Sequence, residues 1–422
     1  MTASELARCL ASGDVRAADV ASACLARVDT SENTVHAWSH IDPDAVAAQA
    51  AALDARFAES GPVGPLHGIP VGLKDIIDTA DMPTENGTAA DAGRRPEIDA
   101  ALVTALRNAG ALLMGKTVTA ELAHREPGPT TNPFDPSRTP GGSSSGSAAA
   151  VAAEMTPLAV GTQTGGSIIR PAAYCGIVGY KPTVGLIPTA GVFCRSHTLD
   201  TMGVFARSVK DAALLTDCLA DGAGLSPVGE KTGGALAFAH PPGWDRCDDD
   251  MKAAFGELQG RLGARADSVD LPACFDDAAA AHRVVSLVEL SKYAASYAEK
   301  HAEDISEGML QDIETGAGFS AVAYLRSLDM VGVLNDALEP VFEKYDAIVT
   351  PSALGQAPVG LANTGEAIFC SLWTLCGTPE ISLPLLTGAD GMPLGVQLIG
   401  RRGADADLLA TATALMASLA ES

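Results

Sequence analysis

The chain has 422 residues, of which 47% are hydrophobic and 19% charged, and its formal net charge is −24. That composition builds a large buried core, and its acidity speaks against nucleic-acid binding, which needs a basic surface. It also repels anionic ligands at long range, so an acidic substrate requires a dedicated local cation.

The N-terminus, MTASELARCLASGDVR, has neither the basic nor the apolar region of a signal peptide. Thr2 followed by Glu5 is a capping-box pattern and starts a helix. Amphipathic periodicity predicts helices over 4–10, 16–28 and 43–58, the last opened by Asp42-Pro43-Asp44. The apolar run GIPVGLKDIIDT reads as a strand bearing Lys74, and a helix near 98–109 leads into the buried-strand pattern GALLMGK. Residues 124–147, HREPGPTTNPFDPSRTPGGSSSGS, read as a long loop running into a small-residue helix, AAAVAAEM. Loops of that length in compact domains are usually functional or disordered. PLAVGTQ is the next strand. From residue 235 the order is strand ALAFAHPP, helix DDDMKAAFGELQGRLGA, strand DSVDLP, helices over 276–345 and strand DAIVTPSA. The chain closes with strand EISLPLL, a Gly turn, strand LGVQLIG and a helix from Asp405. Alternating strands and helices indicate an α/β domain, and the hairpin near the end indicates a sheet that is not purely parallel. No apolar run reaches the roughly 18 residues of a membrane span, since Glu154 breaks the Ala-rich stretch from Ala148. Nine cysteines without a CxxC pair read as reduced thiols of a cytoplasmic chain.

Three motif matches fail on mechanism. GALLMGKT, Gly110 to Thr117, fits the P-loop pattern, but Ala-Leu-Leu-Met between its glycines looks like the strand itself and not a phosphate-wrapping loop. GSSSG, Gly142 to Gly146, fits the nucleophile elbow around Ser144, yet a loop and not a strand precedes it. His197, His240, His282 and His301 follow it with nothing to mark a catalytic base. His36 and His40 are four apart without the adjacent Glu of a zinc helix, so no metal and no cofactor is expected.

One set of residues holds together. GIPVGLKD supplies Lys74, PGGSSSGSAAAVAA supplies Ser143, and GTQTGGSIIRPAA supplies Ser167, 24 residues further on (143 to 167). A serine in a Gly-rich loop, taken alone, reads as a turn residue. With all three segments in this order the sequence resembles the amidase signature family, over most of the chain and as far as GMPLGVQLIGRRGADADLLATATALM. The resemblance implies a single α/β/α sandwich over 1–422 with a mixed, mostly parallel sheet covered by helices. A helical segment over about 1–60 packs on a catalytic core at 65–220. It implies a Ser–cis-Ser–Lys triad, with Ser167 as nucleophile, Ser143 as the bridging serine after a cis peptide bond, and Lys74 as base. Lysine is a poor base in water, with a pKa near 10.4, but burial disfavours the ammonium, and Lys74 lies in an apolar run. Backbone N–H groups of Thr164, Gly165, Gly166 and Ser167 converge on the developing oxyanion, where glycine admits close approach.

The sequence also departs from the commonest family pattern. Gln163 stands where most relatives have Asp, and Ile169 where they have Arg; the arginine is instead Arg170. This arrangement looks most like malonamidase-type members, in which an arginine at this offset holds the substrate carboxylate. Arg170 then suits a small carboxylated amide through a bidentate contact, or serves as a structural donor. Thr162 and Gln163 complete the candidate substrate-binding set. The expected activity is an amidohydrolase cleaving a malonamate-like amide through an acyl-serine, releasing ammonia or an amine. The alternatives are an amidotransferase A-type subunit in a tRNA-dependent complex, a broad-specificity neutral amidase, or a non-catalytic scaffold, which the intact Lys74, Ser143 and Ser167 oppose. The expected partner is a small-molecule amide, without nucleic acid or membrane. A homodimer is common among relatives.

Overall fold

The computed structural model describes residues 1–231 and 234–420. Eleven strands form one sheet: β1 Trp38–Ile41, β2 Pro70–Lys74, β3 Leu112–Thr117, β4 Leu158–Gln163, β5 Val178–Lys181, β6 Thr201–Ala206, β7 Leu236–Ala239, β8 Ala266–Val269, β9 Ala347–Pro351, β10 Glu380–Thr387 and β11 Pro393–Ile399. Their spatial order is β1-β3-β2-β4-β6-β5-β10-β11-β9-β7-β8. The sheet is mixed, as expected, but its parallel pairs are confined to two flanks. β2 pairs in parallel with β3 and β4, and β7 with β8 and β9, whereas the pairings from β4 through β9 across the centre, and β1 with β3, are antiparallel. The expectation of a mostly parallel sheet is corrected accordingly: hairpins built by β5, β6, β10 and β11 fill the middle.

Side chains on a strand alternate between faces, and helices cover both. Ala159 of β4 and Phe205 of β6 pack with Val151, Ile168 and Ala172. Their neighbours Leu158, Val160 and Val204 pack on the other face with Ala212 and Leu215 of helix Val209–Leu219. Local signals placed many elements correctly. Thr2 and Glu5 form the capping box of helix Ala3–Ser12. Asp42 caps helix Pro43–Ser60 with proline in its first turn, where the missing N–H costs nothing. The long loop ends at Ser144; Ser145–Ala152 is already helical, and its Gly146 is required because a Cβ there would collide with Ala37 O and Val118 N. The region 276–345 resolves into helices Ala278–Tyr293, Ala295–Lys300, Glu307–Ala317 and Ala321–Phe342.

β1, β5 and β6 have no clear sequence signal. β1 and β5 are four residues long. β6 has glycine at its centre, and glycine weakens a strand pattern. Gly203 is needed there because a Cβ would collide with Tyr180 O. Among the described residues no single helix is long and apolar enough to cross a membrane.

Candidate active site

Binding sites in open α/β sheets form beyond the C-terminal ends of parallel strands. β2 and β4 are such a pair, with Leu73 opposite Val160. Lys74 ends β2, and Thr162 and Gln163 end β4. Lys74 is fully buried, and its Nζ donates to Ser143 Oγ at 2.7 Å and to Thr162 Oγ1 at 2.9 Å. Burial pulls its pKa down to about 7; the Asp200 carboxylate opposes the shift and Arg195 assists it. Ser143 lies in the loop before helix Ser145–Ala152, the Gly142–Ser143 peptide is cis, and Ser143 O accepts from Ala120 N at 2.9 Å.

Ser167 follows β4 on a short loop and lines a cavity of about 480 Å³, a size suited to a small molecule. Its Oγ makes no hydrogen bond among the described residues, so it is free toward the cavity. Arg170 ties the loop of Ser167 to that of Ser143: its main-chain N–H donates to Gly166 O at 3.0 Å and its Nη2 to Gly142 O at 2.6 Å. The three residues thus lie on adjoining segments, with Lys74 and Ser143 in direct hydrogen-bond contact.

The loop 164–167 is held from behind by its carbonyls. His282 Nε2 donates to Thr164 O at 2.7 Å and Thr374 Oγ1 to Gly165 O at 2.8 Å, and Gly166 O is taken by Arg170 N. Burial lowers the His282 pKa to about 4, so the imidazole is neutral and Nε2 is its protonated nitrogen. In a trans peptide the N–H points opposite to the C=O. The N–H groups of Gly165, Gly166 and Ser167 are thus aimed away from these anchors, and no protein acceptor takes them among the described residues. Thr164 also lines the cavity, and its hydroxyl donates to Asp200 Oδ1 at 2.6 Å.

Arg170 is 5% exposed and lines the same cavity. Besides Gly142 O, its Nη2 donates to Thr364 Oγ1 at 3.1 Å, and its Nε has no partner. No carboxylate lies within ion-pair distance of it among the described residues, although buried arginines are normally paired. One edge of the guanidinium fastens the Ser143 loop, and no carboxylate lies within ion-pair distance of its charge beside Ser167 among the described residues.

The other two expected substrate-binding residues are corrected. Gln163 is fully buried; its Nε2 donates to Thr374 Oγ1 and Glu380 Oε2, and its Oε1 accepts from Ile168 N and Ile169 N. All its polar capacity is used inside the protein. Thr162 is the second partner of Lys74 and does not line the cavity. A carboxylate at 163 would face Glu380, itself fully buried and 3.3 Å from Lys181 Nζ, so a neutral amide satisfies this site where an acid would repel. The rejected motifs behave as expected: Lys116 is buried and donates to Ile77 O and Thr84 Oγ1, and Ser144 is buried against Thr162 O. No group of three potential metal ligands occurs among the described residues. The residues that sequence reasoning missed are His282, Thr374, Asp200 and Arg195; His282 was visible only as an unmarked histidine.

A family model described as Amidase matches residues 19–225 and 242–409. The A subunit of the glutamyl-tRNA(Gln) amidotransferase of Salinispora arenicola is 33% identical, covering 98% of this chain and 96% of that protein. A crystal structure of an amidase superposes with a TM-score of 0.91 at 29% identity, covering 99% of this chain and all of that one. The native peptide amidase from Stenotrophomonas maltophilia gives 0.84 at 29%, covering 100% of this chain and 97% of its own. These relatives do not single out malonamidase-type proteins, and the amidotransferase subunits are named for a tRNA, so the expectation of no nucleic-acid partner draws no support from them.

Proposed function

The chain belongs to the amidase family and is an enzyme acting on amides, and from that premise we propose that Lys74, Ser143 and Ser167 carry the reaction on a small, carboxylate-bearing amide. Ser167 Oγ attacks the amide carbonyl as its proton passes to Ser143 and the proton of Ser143 passes to neutral Lys74. The tetrahedral oxyanion is met by the N–H groups of Gly165, Gly166 and Ser167, which are already oriented and need no reorganisation. Lys74 returns the proton through Ser143 to the departing nitrogen, the C–N bond breaks, and an acyl-Ser167 remains. Water cleaves that ester by the same relay. The observation that carries this reading is the fully buried amine of Lys74, 2.7 Å from Ser143 Oγ and brought down to about 7, where a lysine serves as a base.

The substrate carboxylate is assigned to Arg170. A guanidinium buried without a counter-ion beside the nucleophile favours an anionic ligand, and it supplies the local cation that a chain of net charge −24 requires.

A second reading is favoured by the names of the relatives: one component of an amidotransferase, which uses the same amide cleavage to hand the nitrogen to an acyl group on tRNA in a complex. The expectation of no nucleic-acid partner belongs to the first reading only. The purified chain with a panel of short amides separates the two. Ammonia or amine release without partner or tRNA supports the hydrolase; release only with added tRNA and partner proteins supports the second. Arg170→Ala is expected to raise KM at least tenfold for carboxylated amides relative to neutral ones of the same length. Equal effects on both would remove Arg170 from substrate binding.

A further inference from the structure

The cavity has a second cationic wall that the relay and Arg170 do not use. Arg195 is 7% exposed, lines the cavity, and has no carboxylate within ion-pair distance among the described residues. Its Nη2 donates to His124 Nδ1 at 2.9 Å, and its Nε has no partner. Asp200 does not neutralise it by contact: that carboxylate is occupied by the main-chain N–H groups of Arg195 and Ser196 and by Thr164 Oγ1. Nor does His124, which burial and the neighbouring arginines hold well below the usual histidine range, so it is neutral and hands its Nε2–H to Asp312 Oδ2 at 2.7 Å.

Asp312 is shared. It also pairs with Arg125, and Arg283 lines the cavity close enough to Arg125 to lower its pKa. Arg125, Arg195 and Arg283 thus line one side of the cavity, and of the three only Arg125 has a carboxylate, Asp312, within ion-pair distance among the described residues. Burial brings Arg195 down to about 10, so it stays cationic under ordinary conditions. This wall reaches the cavity from the Thr164 end of the nucleophile loop, through Asp200. Arg170 reaches it from the Gly142 and Thr364 side, and the two arginines share no hydrogen-bonding partner.

We propose that Arg195, with Arg125 and Arg283, is an anion subsite separate from Arg170, and that the substrate is a dianionic amide whose second carboxylate lies there. A buried guanidinium with a free Nε and no carboxylate in contact, Asp200 acting on it only from a distance, favours a ligand that brings one. A planar carboxylate matches its fork. We assign the carboxylate at Arg170 to the acyl part and the one at Arg195 to the amine part, so that the leaving group is an aminocarboxylate and not ammonia. The inference rests on the reading above for the reacting centre, but makes its own demand on the substrate.

The test uses one dicarboxylic acid as two amides, its glycine amide, which is dianionic, and its methylamide, which is monoanionic. The wild type is expected to prefer the glycine amide by about tenfold or more in kcat/KM, mainly through KM, as charged hydrogen bonds lost on a buried partner imply. Arg195→Gln and, separately, Arg283→Gln are expected to shrink that preference. Arg283 is not buried, so its variant keeps the fold even if the Arg195 variant does not. Calorimetry of the same two amides on Ser167→Ala protein reads binding without turnover. If both amides are cleaved at equal kcat/KM, or the preference survives in Arg283→Gln and in folded Arg195→Gln, the subsite is overturned while the Ser167 reading stands. If neither amide is cleaved, the reading above fails on these substrates, and equal affinities in calorimetry overturn the subsite independently.

Discussion

Lys74→Met is predicted to abolish turnover and yet make the protein more stable, by an amount that depends on pH. Folding transfers this amine from water to a fully buried position and lowers its pKa from the ordinary 10.5 to about 7. The gap, 10.5 − 7, is about 3.5 pH units at about 1.4 kcal/mol each, or about 5 kcal/mol of destabilisation. That cost is complete below about pH 6 and nearly so at pH 7, where the unfolded chain keeps the proton that folding disfavours. Between about 7 and 10.5 the unfolded state binds more protons than the folded one, so wild-type stability rises with pH across that window. Methionine has similar length and no charge, and it forfeits two hydrogen bonds, to Ser143 and Thr162, worth about 1 kcal/mol each. The variant should therefore be more stable by about 3 kcal/mol at pH 7, and the advantage should be gone near pH 9.5. Urea unfolding of both proteins at pH 7.0, 8.0 and 9.5 measures this. The wild-type kcat/KM should climb through about pH 7 as the amine loses its proton. A stability difference that stays constant from pH 7 to 9.5, or a flat rate profile across pH 6 to 8, refutes a buried neutral lysine as the base.

Other outcomes follow from single residues. Ser167→Ala should lower kcat by about 10⁴-fold or more with an unchanged circular dichroism spectrum, since its hydroxyl has no structural partner among the described residues; measurable turnover would displace it as nucleophile. Gly166→Ala places a Cβ 2.9 Å from Ala367 Cβ and 3.1 Å from Cys370 Cβ, which displaces the loop. It should reduce kcat by about 10²-fold, the effect of losing one oxyanion donor, with a smaller change in KM. Gln163→Glu sets a second carboxylate against Glu380 and should destabilise by about 2–4 kcal/mol at pH 8. Like-charge repulsion and burial raise its folded pKa above the unfolded value, so the penalty should shrink toward pH 4; a wild-type-minus-variant difference in urea midpoint that does not change from pH 8 to pH 4 would contradict this.

How much was readable in the sequence tracks how local each interaction is. Helix starts at Thr2 and Asp42 were legible because the cap and the capped N–H lie within three residues. Lys74, Ser143 and Ser167 were legible because each sits in a short segment whose composition is constrained, an apolar strand end or a Gly-rich loop, and the three come in one order. The role of Gln163 was not legible. Its partners Thr374 and Glu380 are 211 and 217 residues away, so a polar residue beside the nucleophile loop passed for a substrate ligand. Arg195 and His282 were hidden for the same reason: each stands in an unremarkable segment and gains meaning from the cavity that remote elements close around it. Of the central antiparallel strands, β5 and β6 escaped, because β5 is short and β6 carries Gly203 at a point of close backbone approach.

The same distance dependence explains how the loop works. Gly165 and Gly166 give the backbone freedom to approach a substrate, but that freedom would leave the N–H groups unaimed. Direction comes from elsewhere in the chain. His282 and Thr374 fix the Thr164 and Gly165 carbonyls, and Gln163 takes the Ile168 and Ile169 N–H groups. Because each peptide plane is rigid, fastening a carbonyl oxygen on one face fixes the next N–H on the other. Thr374 does this while also accepting from Gln163, with Cys370 O 3.0 Å from the same hydroxyl as the competing acceptor, so the loop of Ser167 and helix Ile368–Cys376 share one hydrogen-bonded unit. In the reaction proposed above, the N-terminal half supplies the reactive groups and the C-terminal half holds their donors in place before any charge develops, which is the condition under which such donors lower a barrier.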